Sequence, residues 1–314
     1  MSRVLITGAG GFIGRVAVRA FLAAGWEVRA AARRIPPDAD RQVEWRAVGD
    51  IGEQGAWRGI ADGVQCVVHL AGRAHVLRET EADPLATFRS TNVEATRRLA
   101  SEAASAGVRR FIFLSSIGVN GVRTDNAPFR ETDMPQPSTP YAISKHEAEQ
   151  VLRALGESSG LEYVILRAPL VYGANAPGNF ARLATWIRRG WPLPFGAVKN
   201  RRSLLFVGNL ADALRCCAID PAARNELFLV ADREAVSTPD LVRLLARALG
   251  CRSHLWPVPV DLLRAAARVT GGRLTLDSLL DSLVVDISCI EQRLKWTPSN
   301  SLEEGLRATF PAAR

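Results

Sequence analysis

The segment PYAISKHEAE (140–149) sets Tyr141 and Lys145 four residues apart. The chain has only three tyrosines and three lysines (Lys145, Lys199 and Lys295), while arginine supplies the other 37 of its 40 basic side chains. Residues four apart share one face of a helix. A free phenol titrates at about pH 10, too high for efficient proton exchange at neutral pH, and a nearby ammonium favours the phenolate. Lysine's compact head also keeps donors for a ribose hydroxyl, which a flat guanidinium would meet differently. The pair therefore reads as an acid/base phenol and the ammonium that lowers its pKa. A third member should be a hydroxyl that hydrogen-bonds the reacting carbonyl or alcohol. Ser115 and Ser116 end the apolar run before this helix; Ser116 is our choice, and the residues alone leave Ser115 open. Ser144 and His146 flank the pair and read as a solvated helix face.

Elements that could hold this set follow from the apolar pattern. Strand-like runs occur at 3–7, 27–32, 43–48, 66–72, 109–116 and 163–173, separated by helical patterns at 12–24, 85–106 and 141–155. Ser138 or Thr139 can cap the last of these helices, with Pro140 in its first turn. Alternating strands and helices predict an α/β fold, a doubly wound parallel sheet whose ligands sit beyond the strand C-termini. After Gly173 the pattern changes: a Gly-, Pro-, Asn- and Arg-rich stretch at 174–202 includes a helix at 179–189. Strand then helix follow at 203–218, with further helices at 238–250 and within 286–309. We expect a Rossmann domain over 1–173, with a segment at about 203–235 returning to it. Residues 174–202 and 236–314 should form a smaller substrate domain.

The first strand runs into TGAGGFIG (7–14), which places Gly8, Gly11 and Gly14 around Phe12 and Ile13 at a strand-to-helix turn. A turn lacking Cβ atoms lets a pyrophosphate reach the amides at the helix start, and the third glycine lets helix and strand pack closely. That context identifies a dinucleotide site. Leu70, Ala71 and Gly72, at the end of another strand, fall on the same rim. Asp50, followed by Ile51, could meet an adenine amino group or serve as a helix N-cap. NAD sites usually carry a carboxylate at the end of the second strand, but here Ala32 is followed by Arg33 and Arg34. Two guanidiniums and no acid favour the 2′-phosphate of NADP, with NAD the alternative.

Bulk properties narrow the class. With 314 residues and 47% apolar content, the chain can bury a full core. No apolar run approaches the roughly 18 residues of a membrane span, and no cleavable leader is evident, so a cytoplasmic protein is expected. Five scattered cysteines suit reduced thiols, and no Cys or His spacing suggests a metal. The net charge of +8 points to anionic small molecules; dispersed arginine pairs without aromatic interleaving argue against nucleic acid.

TGAGGFIG, HLAG, TNVEAT, LSSIGVNG, YAISK and LRAPLVYG together resemble the extended short-chain dehydrogenase/reductase family, in order through residues 1–173. The resemblance implies that Ser116, five residues before Gly121, is the active-site serine. Tyr141 would be the acid/base, Lys145 its partner and ribose ligand, and Asn92 a lining residue of the cofactor pocket. The second half is similar to the nucleotide-sugar branch, notably UDP-glucose 4-epimerases and UDP-hexulose 4-reductases. By that likeness Arg202 clamps a sugar-nucleotide diphosphate above Asn179, and members often dimerise through the helices at 85–106 and 141–155. Groups that dehydrate or decarboxylate carry acidic residues after the serine, and deoxyhexose epimerase-reductases a cysteine; Ile117-Gly118-Val119-Asn120 offers neither. An NADPH-dependent 4-reductase of a UDP-4-keto-6-deoxy-hexose, serving cell-surface polysaccharide precursors such as those of lipopolysaccharide, is the leading expectation. A UDP-sugar 4-epimerase is the alternative. A lipid- or steroid-type alcohol dehydrogenase would not need Arg202, and a non-catalytic dinucleotide binder would not need the triad.

Overall fold

The computed structural model describes residues 2–74, 83–270 and 273–311. Its centre is a parallel sheet of β1 (Arg3–Thr7), β2 (Glu27–Ala32), β3 (Glu44–Ala47), β4 (Cys66–His69), β5 (Arg110–Ser116), β6 (Glu162–Ala168) and β9 (Glu226–Leu229). Their order is β3-β2-β1-β4-β5-β6-β9. The order reverses between β1 and β4, which opens a crevice at their C-terminal ends. Thr7 lies opposite both Ala31 and His69, and Ser116 opposite Ala168, so motifs that leave these strands emerge along one rim. The central strands β1, β4 and β5 are buried on both faces, whereas the edge strand β3 is half exposed.

One face is covered by α1 (Phe12–Ala23) and α6 (Val207–Ile219), the other by α3 (Ala95–Ser105) and α4 (Pro140–Ser159). The Thr139 hydroxyl caps α4 by accepting from the Ala142 amide at 3.2 Å, and Gly160 ends it in the left-handed conformation.

Three expectations needed revision. The 85–106 helix is interrupted: α2 (Pro84–Phe88) and α3 flank a π-helical turn over Arg89–Glu94. That turn lets the Asn92 carbonyl accept from the Thr96 hydroxyl at 2.6 Å. The run 163–173 is two strands, because Pro169, lacking an N–H, takes the chain out of the sheet. Its second part, β7 (Leu170–Tyr172), pairs in parallel with β8 (Leu204–Phe206). Finally, residues 285–296, expected with the second half, pack Val285, Ile290 and Trp296 into the core under the sheet. This stretch includes α10 (Ser288–Leu294). A separate apolar cluster joins α5 (Asn179–Arg188), α7 (Thr238–Ala248), α8 (Val260–Thr270), α9 (Arg273–Leu280) and α11 (Leu302–Thr309) beyond the strand ends.

Candidate active site

The glycine turn after β1 is closed by a 2.9 Å hydrogen bond from the Gly11 amide to the Gly8 carbonyl. Gly8 has φ +66°, and a Cβ there would stand 2.9 Å from the Ala71 nitrogen. A Cβ on Gly14 would lie 2.1 Å from the Gly8 carbonyl oxygen, so only glycine lets α1 approach this turn so closely. One on Gly72 would stand 2.9 Å from the Asn92 amide oxygen. Helix α1 has no acidic residue in its first turn and no side-chain cap. Its amide end is therefore open to an anion. This cradle fits a dinucleotide pyrophosphate.

A cleft of about 960 Å³ extends from the cradle toward β2 and β3, lined by Gly11, Arg33, Arg34, Asp50, Ile51 and Ala71 among others. Arg15 also lines it, but Asp38 holds that guanidinium at 2.6 and 3.0 Å. Asp50 accepts from the Gly52 amide at 2.8 Å, holding a turn and not capping a helix, and it faces the cleft. A second cleft of about 430 Å³ shares Gly8, Gly11, Leu70 and Gly72 with the first and adds Phe12, Ile13, Gly14, Ser116, Tyr141 and Lys145. The Ser–Tyr–Lys set and the glycine cradle thus open into one crevice. No carboxylate lines this second cleft among the described residues; its charged lining groups are Arg73, Lys145 and Arg202.

Burial pushes the Tyr141 phenol up to about 12, and a hydrogen bond with Ser116 pulls the other way. The Lys145 ammonium, expected to act on the phenol, also has contacts of its own. Its stem crosses the Phe113 ring, with Nζ 4.4 Å from the centroid, and Nζ donates to the Leu114 carbonyl at 2.8 Å. The carbonyl at the end of β5 captures the ammonium, and burial lowers its pKa to about 8, with the Glu149 carboxylate opposing. Burial thus favours the protonated form of the Tyr141 phenol.

The structure separates the two serines. Ser115 is buried and donates to Glu149 of α4, whereas Ser116 Oγ accepts from the Gly118 amide at 3.1 Å and reaches toward Tyr141. Behind them Arg167 grips Glu149 with two bonds of 2.9 and 2.6 Å and reaches Asn120 at 2.9 Å. Burial alone would raise the Glu149 carboxyl, but hydrogen bonds from Arg167 and Ser115 and the Arg167 charge, with His146 Nδ1 3.9 Å away, bring it below its ordinary value. His69 is wholly buried, and burial first, then Lys145, lowers its pKa to about 3, leaving a neutral ring. Thr7 Oγ1 receives the Leu70 and Ala71 amides, both at 3.2 Å, so its own proton points to His69 Nδ1 at 2.7 Å. His69 Nε2 then carries the hydrogen and donates to Thr96 at 3.1 Å.

Asn92 does not line either cleft. Its amide is consumed in holding the loop after β4, accepting from the Arg73 amide at 2.8 Å and donating to the Arg73 carbonyl at 3.2 Å. It also donates to Ser144 Oγ at 3.0 Å, and Ser144, read as solvated, is completely buried. Ser144, Glu149, Arg167 and His69 were missed as support for the site. The pairing of Glu149 with Arg167 had no local signal, since the partners lie 18 residues apart on different elements.

Across the crevice stand Arg202, Pro177 and Leu283. Arg202 is fixed to Val236 by reciprocal backbone bonds of 2.8 and 2.9 Å, and its Nη1 donates to the Asp281 carbonyl at 2.9 Å. Burial lowers its pKa, opposed by the Asp281 carboxylate. Arg202 also lines an adjoining small pocket with Asn179, whose buried Oδ1 has no hydrogen-bond partner among the described residues.

A glycine cradle opening beside a Ser–Tyr–Lys set at the strand C-termini is the geometry of a dinucleotide-dependent enzyme. A family model described as the NAD dependent epimerase/dehydratase family matches residues 4–231, and the chain belongs to that family. It is 39% identical over 312 residues to a UDP-glucose 4-epimerase of Vibrio cholerae, covering 98% of this chain and 94% of that protein. It is 26% identical over 291 residues to an N-acetyl-alpha-D-glucosaminyl-diphospho-ditrans,octacis-undecaprenol 4-epimerase of Escherichia coli O157:H7, covering 88% and 83%. Among solved structures, the UDP-glucose 4-epimerase of Thermus thermophilus in complex with NAD is similar at a TM-score of 0.78. The two are 25% identical, with coverage of 99% and 100%.

Proposed function

We propose that this protein reduces the 4-keto group of a UDP-4-keto-6-deoxy-hexose with NADPH, in making cell-surface polysaccharide precursors. The observation that carries the direction is the acid-free end of β2, where Arg33 and Arg34 face the cleft and favour an exchangeable NADPH. An epimerase would instead need a permanently held, oxidised NAD. A base for dehydration is missing from Ile117–Asn120. The UDP-sugar class is supported by the relatives' activities and by Arg202 and Asn179, a guanidinium and a helix start suited to a diphosphate. The acid-free end of β2, with Arg33 and Arg34 on the cleft, supports NADP.

Reduced nicotinamide, when bound, supplies the hydride that C4 gains. Ser116 would donate a hydrogen bond to the C4 oxygen, and Tyr141 would give that oxygen its proton, so the carbonyl becomes an alcohol. The phenolate left behind recovers a proton from solvent. Gly8, Gly11 and Gly14 would hold the pyrophosphate, and Lys145 a ribose hydroxyl. The reading keeps a Rossmann domain over 1–173, a smaller substrate domain, a homodimer and a cytoplasmic location as its context.

A UDP-glucose or UDP-N-acetylglucosamine 4-epimerase is the second reading, favoured by the 39% identical relative. Purified protein mixed with NADPH and a UDP-4-keto-6-deoxy-hexose should oxidise one cofactor per sugar reduced. Interconversion of UDP-sugars without net cofactor oxidation would replace the reductase by the epimerase, and absence of both would end the C4 assignment.

A further inference from the structure

Away from the crevice, the other end of α5 has a different chemistry. Arg188 and Arg189 close the helix, Gly190 turns the chain at φ +68°, and Trp191 stands 49% exposed with Arg189 stacked 5.5 Å above its ring. The next residues join 254–256 in a short ribbon. The Leu193 amide donates to the His254 carbonyl at 2.7 Å, and the Trp256 and Gly196 amides bond across it at 2.9 Å each. This pairing buries Leu193 and leaves Trp256 62% exposed; Leu262, early in α8, is 61% exposed. Arg252 is exposed on the same ribbon.

Some guanidiniums on this arginine-rich surface are matched by acids, as in Arg3–Glu27, Arg15–Asp38 and Arg89–Glu147, and others, such as Arg33 and Arg34, line the cofactor cleft. By contrast, Arg188, Arg189 and Arg252 make no ion pair among the described residues, and Asp261 is the one carboxylate in 186–199 and 251–263. Two exposed indoles and a leucine among unmatched cations have the composition of an interfacial anchor. A second copy of the chain would bring like charges face to face and so fits poorly.

We propose that Arg188, Arg189, Trp191, Arg252, Trp256 and Leu262 rest the protein on an anionic lipid bilayer. The contact is with the surface, since no described helix is long and apolar enough to cross a membrane. The indoles enter the headgroup layer while the guanidiniums meet lipid phosphates. Asn179 lies at the other end of α5, about 15 Å along the helix from this patch. This inference does not rest on the reaction assigned above.

The test is sedimentation of the full chain with vesicles of phosphatidylglycerol and phosphatidylethanolamine, against phosphatidylcholine alone. Binding should be at least about tenfold stronger to the anionic vesicles and weaken with salt. The pair Arg188→Glu/Arg189→Glu should abolish that preference while leaving the melting temperature and turnover of a water-soluble substrate unchanged. Brominated lipid should quench tryptophan emission in the parent, and Trp191→Phe/Trp256→Phe should still bind with that quenching much reduced. Equal binding to both vesicle types, or binding indifferent to these changes, overturns the proposal. So does a concentration-dependent oligomer dissolved by the same substitutions, which would make the patch a protein interface.

Discussion

One wall of the crevice is mostly backbone. Gly8, Gly11 and Gly14 form it within seven consecutive residues, and added methyl groups at Gly8 and Gly14 would run into main-chain atoms. The opposite wall is side chains from distant stretches: Pro177, Asn179, Arg202 and Leu283, brought together by β-bridges and the turn after β7. Backbone shape can serve any ligand with the same pyrophosphate, whereas side chains can be exchanged singly to admit another sugar. The fixed wall therefore suits a shared cofactor and the variable one a particular substrate. Tyr141 stands between them and should answer to both.

The sharpest break comes at that residue. Tyr141→Phe removes the proton donor but keeps the ring that packs 6.0 Å from Phe88. We expect kcat to fall by about 10²–10⁴ with dinucleotide affinity, measured by fluorescence titration, unchanged. A parent-like kcat would falsify the acid role. Gly14→Ala comes next: the new methyl cannot coexist with the Gly8 carbonyl 2.1 Å away, so helix and strand must part. Thermal unfolding should show about 1–3 kcal/mol lost, and dinucleotide binding should weaken in parallel. On the variable wall, Arg202→Ala should instead raise KM for the sugar nucleotide about tenfold and leave dinucleotide affinity alone. Equal effects of Gly14→Ala and Arg202→Ala on both ligands would erase the distinction between the walls.

The same contrast governs what the amino-acid sequence discloses. TGAGGFIG and YAISK each act over a single turn, so residue type and spacing carried the cradle and the Tyr–Lys pair. Arg33, Arg34 and Asp50 were legible because strand ends converge on one rim. The supporting network was not, for its members meet only after folding: Ser115, Glu149 and Arg167 come from β5, α4 and β6. Asn92 was recognisable as important by resemblance, yet its amide turns to Arg73 and Ser144 and not into the cleft. The division of 163–173 hung on Pro169, a signal present in the sequence but outweighed by the apolar run around it. The contact that Lys145 makes was illegible for a related reason. Spacing put it on the Tyr141 face, but the Leu114 carbonyl that takes its ammonium lies 31 residues away.

A pH profile tests that ammonium. Burial lowers Lys145 to about 8, so it loses its charge as pH rises through that value, and the reduction rate should fall with it. Stability moves the opposite way. Between about 8 and the ordinary lysine value the unfolded chain holds more protons than the folded one, so this group's contribution to folding rises with pH. A rate that falls while the melting temperature is maintained would assign the limb to Lys145, whereas a joint fall would assign it to unfolding.

The smallest effect expected is on the cofactor's adenosine end, where the fixed wall gives way to side chains. Arg33 and Arg34 are exposed on the cleft and make no ion pair among the described residues, so their attraction for a phosphate is weakened by water and salt. Arg33→Ser/Arg34→Ser should therefore weaken NADPH binding only a few-fold and leave NADH binding unchanged, by titration calorimetry at low salt. Raising the ionic strength should shrink the parent's preference toward that of the variant. If the parent binds both dinucleotides equally at low salt, the arginines read no 2′-phosphate. The preference for reduction would then lose its support, and tightly held NAD with epimerisation would become the better account of the same crevice.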